Sequence, residues 1–152
     1  MTARPATALL VLGLAVATAD AVRADAPDAA RVRFVRVAIY IHSGVRALAA
    51  WQVEVVVRAG DVEVVGVEGG EHPAYAEPAY YDPAALRQHR LVLAAFDTGT
   101  NLPTGRTRVA TLHLMVRGAA APELEARLVV AADPDGRSFD AAVTIEELGG
   151  ER

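Results

Sequence analysis

Hydrophobic and polar positions alternate along most of the chain from Arg33 onward. Val35, Val37, Ile39 and Ile41 alternate with Phe34, Arg36, Ala38 and Tyr40. Successive side chains of a strand point to opposite faces, so this stretch predicts a strand with one fully aliphatic face turned to a core. Ser43-Gly44 ends it. Trp51, Val53, Val55 and Val57 then alternate with Gln52, Glu54, Val56 and Arg58, the pattern of a half-buried strand with one wet face. Ala59-Gly60-Asp61 predicts a tight turn with Val62 to Val67 returning as a strand. Glu54 and Glu63 are expected to face each other across that hairpin. Leu91 to Phe96 is an apolar run of strand length, and Val109, Thr111, His113 and Met115 alternate with Ala110, Leu112, Leu114 and Val116. Leu124 to Ala132 and Ser138 to Leu148 flank Asp133-Pro134-Asp135-Gly136, a second hairpin signal.

The segments between these runs hold turn formers. Asp97 to Gly105 reads as a loop and Gly118 to Pro122 as a break. Helical turns are expected only at Ala47–Ala50 and at Pro83–Arg87, where Asp82 is a good N-cap and proline takes the first helical position. At least seven short strands without a long helix predict an all-β fold, a single antiparallel β-sandwich over residues 33–148 with a tail at 149–152. No internal repeat or second domain is visible.

The first residues follow a different rule. Arg4 precedes an apolar run from Ala6 to Ala17, then small residues, and this is the form of a secretory signal peptide. Cleavage is expected after Ala19 or Ala24, within residues 1–24, and residues 25–32 read as a flexible leader. The run is apolar all round, unlike an amphipathic helix, and too short to span a bilayer. The protein is therefore expected to be exported, to the periplasm, the cell surface or the extracellular space.

Composition narrows the chemistry. The 152 residues contain no cysteine and carry a net charge of −4. A disulfide scaffold, a cysteine zinc site, thiol catalysis and a lipoprotein anchor are excluded. Every one of the 15 basic residues is arginine, and they are dispersed, so no phosphate-binding stripe forms and nucleic acid is not expected as a partner. The sequence holds no G-x-S-x-G, H-E-x-x-H or glycine-rich phosphate loop, and none of the local signatures of an enzyme. His42, His72, His89 and His113 are scattered, and no metal or other cofactor is expected. Asp133 to Gly136 resembles the start of a calcium loop but lacks its later glutamate.

Residues 69–90 do not fit a hairpin. Three of the four tyrosines and three of the eight prolines lie there. Long loops in compact domains often carry function, and prolines lower the entropic cost of presenting a side chain. Tyr75, Tyr80 and Tyr81 offer flat rings with polar tips, suited to a sugar face or a protein. The alternative is that these rings pack the loop onto the sandwich and close one end of its core.

The order of elements resembles the cohesin-type, carbohydrate-binding-module-like sandwiches of bacteria. The matching stretches are Val35-Arg-Val-Ala-Ile-Tyr-Ile41, Ser43-Gly44, Trp51-Gln-Val-Glu-Val55, the turn at Gly60-Asp61, Val62 to Val67, Leu91 to Phe96, and Leu102-Pro-Thr-Gly105 leading into Val109 to Val116. The resemblance covers residues 33 to 148. It implies a jelly-roll-like sandwich of up to nine strands that binds a partner protein on one sheet face, a dockerin in true cohesins. The expected docking face bears Gln52, Glu54 and Arg58. A polysaccharide held by the tyrosine-rich loop is the alternative partner.

Overall fold

The alternation in the first strand is realised side chain by side chain. A computed structural model describes residues 31–149. In it β1 (Val32–His42) buries Val35, Val37, Ile39 and Ile41. The expected signal peptide and most of the expected leader lie outside the described residues, as does the tail beyond Gly149. Then follow β2 (Ala50–Ala59), β3 (Asp61–Gly69), β4 (Arg90–Phe96), β5 (Arg106–Arg117), β6 (Glu123–Ala132) and β7 (Ala142–Leu148). A four-stranded sheet runs β3-β5-β1-β7 and a three-stranded sheet runs β4-β2-β6, with every pairing antiparallel. The two inner faces meet through Ile39, Ile41, Leu112, Leu114 and Val116 from one sheet and Trp51, Val53, Leu91 and Leu93 from the other. This is the expected all-β sandwich, held among the described residues by an aliphatic core without disulfides.

Two expected hairpins are corrected. β2 and β3 are joined by a tight turn, but they belong to different sheets. Gly60, at φ 97°, turns the chain through a corner that L side chains rarely adopt. Val62 and Val64 then bury against the core from the opposite wall. Glu54 and Glu63 therefore lie on separate sheets and do not pair, and Glu63 accepts from Arg117 at 3.3 Å instead.

The Asp133–Gly136 turn likewise forms as a turn, with Gly136 at φ 76° and its N–H donating to the Asp133 carbonyl at 2.9 Å. Hairpin pairing beyond it stops at a single bridge, Ala132 to Ser138. The chain then crosses to the other sheet, with half-buried Phe139 and Ala141 packing on the core, before β7 pairs with β1. Turn chemistry fixed both reversals, but burial of the next apolar residues decided which sheet received the chain.

The loops follow local rules. Pro83–Arg87 is a short 3-10 helix whose Asp82 side chain accepts from the Ala84 N–H at 2.9 Å. Ala47–Ala50 is not helical. The Leu48 N–H donates to the Pro103 carbonyl and the Ala49 N–H to the Ala132 carbonyl, which leads an extended chain into β2. A 3-10 turn at Pro73–Tyr75, capped by His72, was not expected. Near it Gly69 approaches the backbone so closely that a Cβ would overlap the Ala76 carbonyl. Gly69→Ala is expected to cost about 1–3 kcal/mol, the range for forced overpacking. A lower urea midpoint at unchanged slope would register it.

Candidate functional site: the outer face of the three-stranded sheet

The outward positions of β2 are Ala50, Gln52, Glu54, Val56 and Arg58, because Trp51, Val53, Val55 and Val57 are turned to the core. Register carries this face to the neighbours. Ala50 lies opposite Phe96 and Ala132, Gln52 opposite Ala94 and Val130, Glu54 opposite Val92 and Arg127, and Val56 opposite Arg90 and Glu125. A bulge in β6 inserts Val129 beside Val130, and both are exposed.

The tyrosine-rich segment completes the face. Tyr80 forms an isolated antiparallel bridge with Ala94. Its N–H donates to the Ala94 carbonyl at 2.8 Å, and the Ala94 N–H donates back at 3.0 Å. Ala79 is thereby turned inward and Tyr80 outward. The Tyr80 ring lies nearly parallel to Phe96, with 18° between planes and 6.4 Å between centroids. Tyr80 is 71% exposed and Phe96 65%. The two rings, Ala94, Gln52 and Val130 border a shallow depression of about 350 Å³. One half of the face is thus apolar and wet, an arrangement that favours a covering partner.

The other half is charged. Glu54 accepts from Arg90 through Nε at 2.9 Å and also through Nη2, and the Arg127 guanidinium stands 3.6 Å away. Arg58 donates to Glu125 at 2.6 Å. The hydrogen bond from Arg90 is the main cause that holds the Glu54 carboxyl below its ordinary pKa of 4.5. A carboxyl depressed on folding stabilises the fold above its unfolded pKa and loses that contribution as pH falls through its folded value. Wild type and Glu54→Gln are therefore expected to differ in urea stability at pH 6, and the difference is expected to shrink as the pH is lowered below 4.5. A constant difference across that range would refute the role given to the ion pair.

The candidate residues separate. Gln52, Glu54, Arg58 and Tyr80 share this one face. Tyr75 does not belong with them: it is 2% exposed, its hydroxyl donates to the Leu48 carbonyl at 2.6 Å, and its ring meets Trp51 edge-on at 6.0 Å. Burial pushes its phenol far up in pKa. Tyr81 is half-buried against the core. The alternative of tyrosines closing the core thus holds for Tyr75 and Tyr81, and the exposed ring is Tyr80. Phe96, Val129, Val130, Arg90 and Arg127 join the face without having been singled out from the sequence. Continuing the alternation of Leu91 and Leu93 one step would have turned Phe96 outward.

The other polar clusters are spoken for. Asp133 accepts from the Asp135 and Arg137 N–H groups and from Arg46, and Asp97 accepts from the Gly99 N–H. Among the described residues no group of three or more metal-ligating side chains converges. The outer face of the four-stranded sheet is broken up by ion pairs, Arg106 with Glu146 and Arg117 with Asp61 and Glu63. Arg106 also covers the Tyr40 ring at 3.4 Å.

Two stacked antiparallel sheets around one apolar core place the chain in the class of all-β sandwiches. Among solved structures the chain is similar to one in the CaDoc0917–CaCohA2 complex, a cohesin–dockerin structure, with a TM-score of 0.56 and 11% identity over 71% of this chain and 82% of that one. The likeness is one of fold, and it agrees with the cohesin-like sandwich expected from the order of strands. No family profile and no curated protein matches the chain. Among the described residues no helix is long and apolar enough to cross a membrane.

Proposed function

We propose that the protein is an exported, non-enzymatic β-sandwich module that binds another exported protein on the outer face of its three-stranded sheet. The observation that carries this reading is the pair of exposed, nearly parallel rings of Tyr80 and Phe96 beside Val129 and Val130. Aromatic anchors at the centre of a contact, ringed by polar groups, supply most of the affinity in protein interfaces. Here Gln52, Glu54, Arg58, Arg90 and Arg127 supply the polar groups along one side of the pair. The cohesin-like fold supports the same reading, and the partner would be dockerin-like or another secreted component. Export is inferred from the signal-peptide pattern of residues 1–24.

The exposed rings also favour a second reading, since flat aromatic faces suit the face of a sugar, and a polysaccharide would then replace the protein. One comparison separates the two. The immobilised protein is offered its own organism's secretome, and co-sedimentation with insoluble polysaccharides is measured in parallel. Protein docking predicts a captured protein that is lost with Tyr80→Ser and Phe96→Ser, without sedimentation. Sedimentation lost with the same variants would transfer the site to glycans. Capture that survives both substitutions would remove it from this face.

A further inference from the structure

We infer that the partner places a carboxylate about 10–13 Å from the apolar group that covers Tyr80 and Phe96, so that it is an acidic amphipathic segment rather than a merely apolar one. The inference rests on the docking reading and specifies the partner's chemistry. It is carried by an imbalance of charge on the face. Glu54 is shared between Arg90 and Arg127. Its side chain is 13% exposed, whereas those of Arg90 and Arg127 are 63% and 66% exposed. Two guanidiniums therefore point outward over one covered carboxylate. Arg58 and Glu125 are closed on each other and equally exposed, so they add no net charge. Glu123 lies at the far edge, opposite Ala59. A protein that is acidic as a whole thus presents a local cationic spot beside its apolar patch.

Strand geometry sets the spacing. The aromatic pair spans the rows of Ala50 and Gln52, and the guanidiniums occupy those of Glu54 and Val56. Three or four residues along a strand cover about 10–13 Å. On a helix that length is about seven or eight residues, or two turns on one face. A partner lacking the acid would bury Arg127 with only a 3.6 Å contact to Glu54. An underpaired charge buried in an interface is costly, so the spot rejects apolar surfaces that bring no carboxylate.

The test uses a phage-displayed library of helical peptides of about 20 residues, selected on the full protein. The expected binders carry Asp or Glu seven or eight residues from an aromatic or aliphatic anchor, and raising salt to about 0.5 M weakens them. Arg127→Gln should weaken them by about tenfold, the order of one charge-assisted hydrogen bond. Glu54→Gln removes the competing carboxylate and should tighten them, an effect that a merely structural role of the triad would not produce. Binders that need Tyr80 and Phe96 but show no acidic preference, or ignore both charge variants, would overturn the inference and leave the docking reading intact. An empty selection, or binders indifferent to Tyr80→Ser and Phe96→Ser, would count against the docking reading and take the inference with it.

Discussion

Trp51→Ala is expected to remove about 3–5 kcal/mol of stability, the range for deleting a large buried aromatic side chain. Trp51 is buried on β2, at the centre of the three-stranded sheet, and it packs edge-on against Tyr75. Removing the indole empties the inner wall and takes away the surface against which the Tyr75 loop is seated. Domains of this kind are stable by about 5–15 kcal/mol, and no disulfide among the described residues holds the unfolded chain together. Chemical denaturation should show the urea midpoint falling by about a fifth or more. A loss below about 1 kcal/mol would mean that the Trp51–Tyr75 contact does not hold the inner wall of the core.

The double substitution Tyr80→Ala and Phe96→Ala is expected to weaken partner binding by at least about a hundredfold, because central aromatic anchors contribute about 2 kcal/mol or more each. The two effects should not add simply, since the rings stack on each other and each single change also strips its neighbour of a contact. Stability should hardly move, because both rings are largely exposed and the Tyr80 bridge to Ala94 is made by backbone atoms. Isothermal titration with the captured partner, alongside a thermal melt, separates the two quantities. Equal losses of binding and stability would show that the rings hold the fold and not a ligand.

Strands were legible in the sequence because period two is a local signal. Val35 to Ile41 and Trp51 to Val57 could face a core in only one way once their alternation was read. Sheet membership was not legible. Gly60 and the Asp133–Gly136 turn reverse the chain under local rules, and those rules do not say whether the next strand pairs back or crosses to the opposite wall. That choice depends on where Val62, Val64, Phe139 and Ile145 find apolar cover, a property of the assembled core.

The site was legible in part for the same reason. Gln52, Glu54 and Arg58 lie on one face by alternation alone. The fates of three nearby tyrosines depended on tertiary bonds. The 3-10 turn at Pro73–Tyr75 carries Tyr75 inward to the Leu48 carbonyl, and the bridge at Ala94 carries Tyr80 outward. Arg90 and Arg127 come to Glu54 from two different strands, and no sequence spacing announces that meeting.

The choice of sheet face is the central claim, and site-specific photo-crosslinking tests it most directly. A photoreactive phenylalanine analogue is placed at Phe96, on the outer face of the three-stranded sheet, or at Phe34, an equally exposed ring on the four-stranded sheet. Both proteins are irradiated with the captured partner. The docking face described here predicts a crosslinked partner from position 96 and none from position 34. A crosslink from position 34 alone would contradict it and move the interface to the other sheet.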